Sequence, residues 1–176
     1  MSLFLGIDFG TTGVRSSIID KNKKELINFS VSIDSPISKG SLVYQNPSLW
    51  WSALIKNLTF LKTKIELNKI ERLSIDGTSG TVLITDHLGN PLDDALMYND
   101  ASAVKESKLV ESISDNHPIV STSTNALVRA LSLINKLKKE KYRILHQADW
   151  IACKIIDDYM YSCLLYTSPS PRDNRW

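Results

Sequence analysis

The chain has 176 residues, of which 43% are apolar and 23% charged, with a formal net charge of +2. That is enough chain for one domain with a real core, of ordinary soluble composition, and too little charge to direct it to nucleic acid or an anionic membrane. No run of about 18 apolar residues is present to span a bilayer, and "MSLFLGID" meets Asp8 too soon to act as a signal peptide. Cys153 and Cys163 lack metal spacing and read as reduced thiols of a cytoplasmic protein.

In chain order, Phe4, Leu5 and Ile7 form a first apolar strand, and Val14 to Ile19 a second, closed by Asp20 and the polar run "KNKKE". "ELINFSVSID", Glu25 to Asp34, is a third, rich in β-branched and aromatic residues. "SPISKGSLVYQNPSLW" carries Pro36, Gly40 and Pro47 and reads as a loop. Pro47 then opens a helix whose Trp50, Leu54, Leu58, Leu61 and Ile65 recur on one face. "IERLSIDG" is a strand emptying into a polar turn, "TVLITD" another strand, "HLGNP" a turn and "ALMYND" a further strand. Ala103 to Ile113 is helical. "NALVRALSLINKLKK" is a helix with Leu127, Leu131, Ile134 and Leu137 on one face and lysines at its end. "RIL" is a short strand, and Ala148 to Ile156 a last helix with Asp149 in its first turn. An antiparallel opening followed by alternating strands and helices predicts a layered α/β or α+β domain with a mixed sheet. "YSCLLYTSPSPRDNRW", residues 161–176, has no periodicity and is expected to be a disordered tail.

Two turns carry chemistry. In "DFGTTG", Asp8 stands at the end of a strand. Gly10 and Gly13 let backbone N–H groups approach a phosphate, with positive φ open to both. Thr11 and Thr12 add hydroxyl donors, and Asp8 is placed to hold Mg²⁺ through water. The alternative is a plain hairpin with glycines for turn geometry. Neither a P-loop nor a dinucleotide fingerprint is present. "SIDGTSGTVL" repeats the pattern of strand, carboxylate, glycine and hydroxyls. If the two strands neighbour each other, both turns open on one sheet edge, where open α/β sheets bind ligands. "YND", Tyr98 to Asp100, ends a third strand, or is an ordinary polar strand exit.

"GIDFGTTGVR" resembles the first phosphate motif of the actin, Hsp70 and sugar kinase superfamily. Together with "IDGTSGTVLITDHLGNPLDDALMYND", "QNPSLWW" and "LHQADW", it resembles the FGGY carbohydrate kinases over roughly residues 1–158. Within them it is most similar to D-ribulose kinase or xylulose kinase-like proteins. The resemblance implies a ribonuclease H-like (actin-like ATPase) fold. Residues 1–160 would be a truncated N-terminal domain, and 161–176 would lie outside the family pattern. It implies ATP and Mg²⁺ as cofactors and a pentulose, D-ribulose or D-xylulose, as acceptor of the γ-phosphoryl group. Asp8 would position metal and phosphate and contact the sugar. Gly10, Thr11 and Thr12 would face the phosphates. Ser79 would contact the sugar, with Gly77 and Thr78 shaping that wall and Asp100 near the same pocket. Arg15 is equally a solvated or salt-bridged strand residue. The family's catalytic aspartate and adenosine-binding domain would follow residue 158. No catalytic residue is therefore assigned, and the fragment alone is expected to be inactive. Ser102 stands where relatives carry an arginine. The competing readings are a nucleotide-switched Hsp70-like or actin-like ATPase, and an inert fragment. The resemblance implies a cytoplasmic protein, or a plastid one in a plant or alga, with no nucleic-acid or membrane partner.

Overall fold

Burial on every second residue builds the first sheet. In β1 (Leu3–Phe9), Leu3, Leu5, Ile7 and Phe9 are buried while Gly6 and Asp8 between them are exposed. The same two-residue period runs through β2 (Gly13–Asp20), where Val14 and Ile18 are buried opposite Arg15. A third strand, β3 (Glu25–Ser32), completes an antiparallel meander. Such a sheet packs one face on the core and turns the other to solvent. The computed structural model describes residues 2–114, 120–137 and 141–159. The expected tail at 161–176, with Cys163, lies outside them.

The segment read as a loop is instead a hairpin of β4 (Ile37–Lys39) and β5 (Leu42–Gln45). Gly40 turns it at φ +63°, so that glycine marks a turn between strands rather than the absence of them. Helix α1 (Pro47–Lys62) starts where Pro47 predicts, and Asn46 caps it by accepting the Ser48 N–H at 2.8 Å. Trp50, Leu54 and Leu61 are fully buried against the inner face of the meander. After a short 3₁₀ turn, β6 (Ile70–Gly77) pairs with β1 in parallel, giving a four-stranded mixed sheet in the order β3-β2-β1-β6.

The second half of the chain builds a second sheet, which the alternating pattern did not reveal. β7 (Val82–Thr85), β8 (Ala95–Leu96) and β9 (Arg143–His146) join the β4–β5 hairpin in an antiparallel sheet ordered β4-β5-β8-β7-β9. Helices α2 (Val104–Ile113), α3 (Ala126–Leu137) and α4 (Gln147–Ile156) complete the described chain. In α3 the buried residues are Val128, Arg129, Ala130 and Leu133, whereas Leu127, expected on the core face, is exposed. The face turns toward Arg129 because that guanidinium is bonded inside the protein. The two sheets share one core. Trp50 of α1 meets Trp150 of α4 edge to face, with ring centroids 6.1 Å apart, among Phe9, Leu83, Met97 and Leu145. No helix among the described residues is long and apolar enough to cross a membrane.

Gln45 ties this core to the first turn. It is buried, accepts the Trp50 indole N–H at 2.7 Å, and donates to the Thr11 carbonyl at 3.2 Å and the Asp34 carbonyl at 2.7 Å.

Leu54 is fully buried while its neighbour Ile55 is 46% exposed. Leu54→Ala is expected to cost about 2–5 kcal/mol of unfolding free energy and Ile55→Ala no more than about 0.5 kcal/mol. The shift in urea midpoint at constant slope measures both.

Candidate functional site

Asp8 lies directly beside Asp76 in the parallel β1–β6 register, and Phe9 beside Gly77. The turns following these strands, residues 10–13 and 77–81, therefore open on one edge of one sheet. In the antiparallel register Asp8 also faces Arg15. A row of Arg15, Asp8 and Asp76 thus crosses three strands on the solvent face. Neighbouring strands are only about 4.8 Å apart, and like charges directly opposite repel. Arg15 answers part of that repulsion at 3.8 Å from Asp8, with both side chains more than half exposed. An exposed pair of this kind contributes little to stability, which leaves the Asp8 carboxylate available to a ligand.

Two clefts meet at Asp8 and Arg15. One, of about 220 Å³, runs over the first turn past Gly10, Thr11, Thr12 and Ser30. The other, of about 250 Å³, lies over the open sheet face between Ser17, Ser74 and Asp76. A larger groove of about 370 Å³ on the same sheet face is mostly apolar, lined by Phe4, Ile19 and Leu73; it adjoins the second cleft at Gly6, Ser17 and Ser74 but includes no residue of either turn.

The first turn is closed by the Gly10 N–H donating to Gly13 O at 2.9 Å. Neither glycine takes positive φ, contrary to the expectation from sequence. Gly13 is there for space, since a Cβ on it would stand 3.2 Å from the Val31 carbonyl, whereas one on Gly10 would meet only an ordinary contact of 3.5 Å with Gly13 O. Two hydroxyls, a narrow glycine turn and one exposed carboxylate fit a metal-bound phosphate. Among the described residues no group of three or more His, Cys, Asp or Glu side chains is assembled to hold a metal alone. Mg²⁺ needs no such group, since it is held by one or two carboxylates together with phosphate and water.

In the second turn the left-handed glycine is Gly80, at φ +83°. The bonds around it follow from donor counting. Gln147, fully buried at the start of α4, accepts both the Thr78 N–H at 2.9 Å and the Thr78 hydroxyl at 2.8 Å on Oε1. A hydroxyl has one proton, so Thr81 donates across the 2.7 Å Thr78–Thr81 contact and accepts the Tyr98 N–H at 3.2 Å. Thr78 is thereby turned inward. Ser79, at the tip, is exposed. A Cβ on Gly77 would come within 3.0 Å of Gln147 Oε1, so that glycine makes room for the glutamine.

Asp100 is fully buried, accepting the Val43 N–H at 2.7 Å and the Ser102 hydroxyl at 2.9 Å. The structure thus buries it against the backbone of β5, and it lines neither cleft. Ser102, in the position where the family arginine is expected, is its partner. A guanidinium does reach this region from α3. Arg129, 1% exposed, donates to the Met97 carbonyl and, at 2.8 Å, to the Thr124 carbonyl. Burial pulls its pKa down and the Asp100 charge opposes that shift. Sequence reasoning missed Arg129 and Gln147. The available signal for Arg129 was a cation between Val128 and Ala130 within an apolar run, and for Gln147 the polar residue opening the last helix.

The N-terminal domain model of the FGGY family of carbohydrate kinases matches residues 3–167. Such a match over most of the chain, with two glycine turns opening on one edge of a ribonuclease H-like sheet, shows that this chain belongs to the FGGY family of carbohydrate kinases. It is 24% identical over 182 aligned positions to a xylulose kinase of Staphylococcus xylosus, which covers 97% of this chain and 36% of that enzyme. A glycerol kinase of Aquifex aeolicus is 27% identical over 150 positions, covering 80% of this chain and 30% of the relative. Among solved structures, a ligand-bound xylulose kinase of Lactobacillus acidophilus superposes with a TM-score of 0.74 at 16% identity, over 88% of this chain and 33% of that one. The fold is therefore the actin-like ATPase fold, and the chain spans about a third of the length of the relatives it matches.

His146 precedes Gln147 and is half-buried. Burial pushes its pKa below the ordinary value, opposed by the Asp149 charge and a hydrogen bond to the Thr81 backbone. The unfolded chain takes up this proton near pH 6.5 and the folded chain only at lower pH, so this contribution is constant above about pH 6.5 and stability falls as pH drops below it. Thermal midpoints between pH 7.5 and 5.5 are expected to decline less steeply in His146→Gln than in the wild type.

Proposed function

We propose that the protein carrying this chain transfers the γ-phosphoryl group of ATP to a hydroxyl of a pentulose, D-xylulose or D-ribulose. The observation that carries this reading is the β1–β6 register. By setting Asp8 beside Asp76, it brings the first turn and the second turn to one opening. In-line phosphoryl transfer is a matter of positioning and charge stabilisation, and needs donor and acceptor sites abreast. The sugar specificity rests on the relatives named xylulose kinase.

In this reading Gly10, Thr11 and Thr12 cradle the phosphates and Asp8 holds Mg²⁺, with Asp76 adding to the negative potential at the metal. The metal, when bound, neutralises charge on the transferring phosphoryl group. Ser79 presents its hydroxyl to the sugar at the exposed tip. Gly77 and Thr78 shape the wall behind it, Arg129 lies against Gly80, and Asp100 stands near the same pocket. The base that takes the sugar proton and the adenosine site lie outside the described residues. The protein acts in the cytoplasm.

In the full-length protein, Asp8→Ala is expected to lower kcat for sugar-dependent ADP release about 10²–10³-fold without loss of stability, since the side chain is 54% exposed. Near-normal turnover with unchanged Mg²⁺ dependence would refute the assignment. Ser79→Ala is expected to raise the pentulose KM several-fold and leave the ATP KM unchanged. The isolated 176-residue chain is expected to release no sugar-dependent ADP above an Asp8→Ala control.

A further inference from the structure

The second turn faces the sugar in the reading above, yet among its residues only Ser79 is fully exposed. Its geometry must be imposed from below, because Gly77 and Gly80 bracket it and Gly80 takes a left-handed conformation. A turn with two glycines samples many backbone states unless it is tied. The ties converge on one residue. The Gln147 backbone N–H donates to the Thr81 carbonyl at 3.2 Å. Its side-chain carbonyl is the final acceptor of a chain that begins at the Tyr98 N–H, passes through the Thr81 and Thr78 hydroxyls, and ends on Oε1, where the Thr78 N–H also arrives. Hydrogen bonds in series strengthen one another, most of all away from water. The orientation of the amide is settled chemically: the Thr78 backbone nitrogen is a donor only, so the atom facing it is oxygen.

Gln147 is fully buried, and its Nε2 has no partner among the described residues. A glutamine retained in the interior with half its amide unsatisfied costs stability. Its worth therefore lies in the acceptor half. Gly77 reflects the same demand, since a Cβ there would stand only 3.0 Å from Oε1.

We infer that Gln147 is a positioning residue of the sugar site: its buried carbonyl fixes Thr78 and, through the turn, the direction in which Ser79 presents its hydroxyl. This rests on the sugar-kinase reading. It adds that α4, whose first residue is Gln147, transmits its position to the sugar wall, while the phosphate turn is held separately by Gln45. Sugar recognition and phosphate recognition in this domain are thus anchored by different glutamines on different elements.

The test uses the full-length protein with Gln147→Met, which keeps the volume and removes both amide atoms, and Gln147→Glu, which keeps an acceptor oxygen. Amide hydrogen exchange reads the local tie. In Gln147→Met the Thr78 amide is expected to exchange at least about tenfold faster, with residues 8–15 unchanged. Steady-state kinetics read the consequence: the pentulose KM rises about tenfold while the ATP KM stays within twofold. Gln147→Glu restores both readouts. Unchanged Thr78 exchange, or equal changes in the two KM values, overturns the inference. If Gln147→Met does not fold, Gln147→Glu decides alone, and a rise in its Thr78 exchange or pentulose KM overturns it. Wild-type protein that turns over no sugar overturns the kinase reading itself and with it the role given to the turn, whereas active wild type with an unaffected Met variant overturns only the positioning role.

Discussion

The parallel pairing of β1 with β6 is the constraint on which the rest depends. Parallel strands cannot be joined by a tight turn and need a long crossover. Here the crossover carries β2, β3, the β4–β5 hairpin and α1. The reward is that both strands end at the same edge. A one-residue slip would move Asp76 off the exposed face and exchange it for a neighbour meant for the other side. Ile75, packed on the core beside the buried Ile7, resists that slip because it must stay on the helix side. Apolar patterning on one face of the sheet thus secures the placement of carboxylates on the other.

The site is correspondingly built from exposed groups on rigid supports. Asp8 and Ser79 reach solvent, but each follows from buried ties. The first turn hangs from Gln45, which is itself held by Trp50. The second hangs from Gln147 and is flanked by Arg129, whose Nη2 would lie 3.1 Å from a Cβ on Gly80. These are costly groups to bury, since each must find hydrogen-bond partners in the interior. Gln45 and Arg129 donate to backbone carbonyls of neighbouring loops, and Gln147 accepts from the backbone N–H and hydroxyl of Thr78. The interior polar groups therefore act on loop geometry, while cohesion comes from the Trp50–Trp150 core.

The row of Arg15, Asp8 and Asp76 shows how charge is left in tension where a ligand is expected. Two exposed carboxylates stand abreast, with the Arg15 guanidinium 3.8 Å from Asp8. Elsewhere the fold settles its charges locally. Asp20 accepts the N–H groups of Asn22 and Lys24, and Asp86 those of Leu88 and Asn90, so each carboxylate is consumed by its own turn.

The sequence by itself determined the elements whose signals are local. The β1–β2–β3 meander, the capped start of α1 at Pro47, β7 and α4 all follow from alternation, helical period and capping chemistry within a few residues. Both glycine turns were legible, because carboxylate, glycine and hydroxyl at the end of an apolar strand have few structural uses. Only the tertiary structure decided which turn residues are exposed and which are bonded inside. Thr78 was expected to shape the sugar wall and Asp100 to lie near the same pocket; their bonds run to Gln147 and Val43, 69 and 57 residues away in sequence. Of the second sheet, β7, β8 and β9 read as strands, but the β4–β5 hairpin read as a loop, and the order that joins all five was hidden because strands of two to four residues carry little signal of which partner they take. Local preference is written residue by residue, whereas the destination of a hydrogen bond depends on what long-range packing brings beside it.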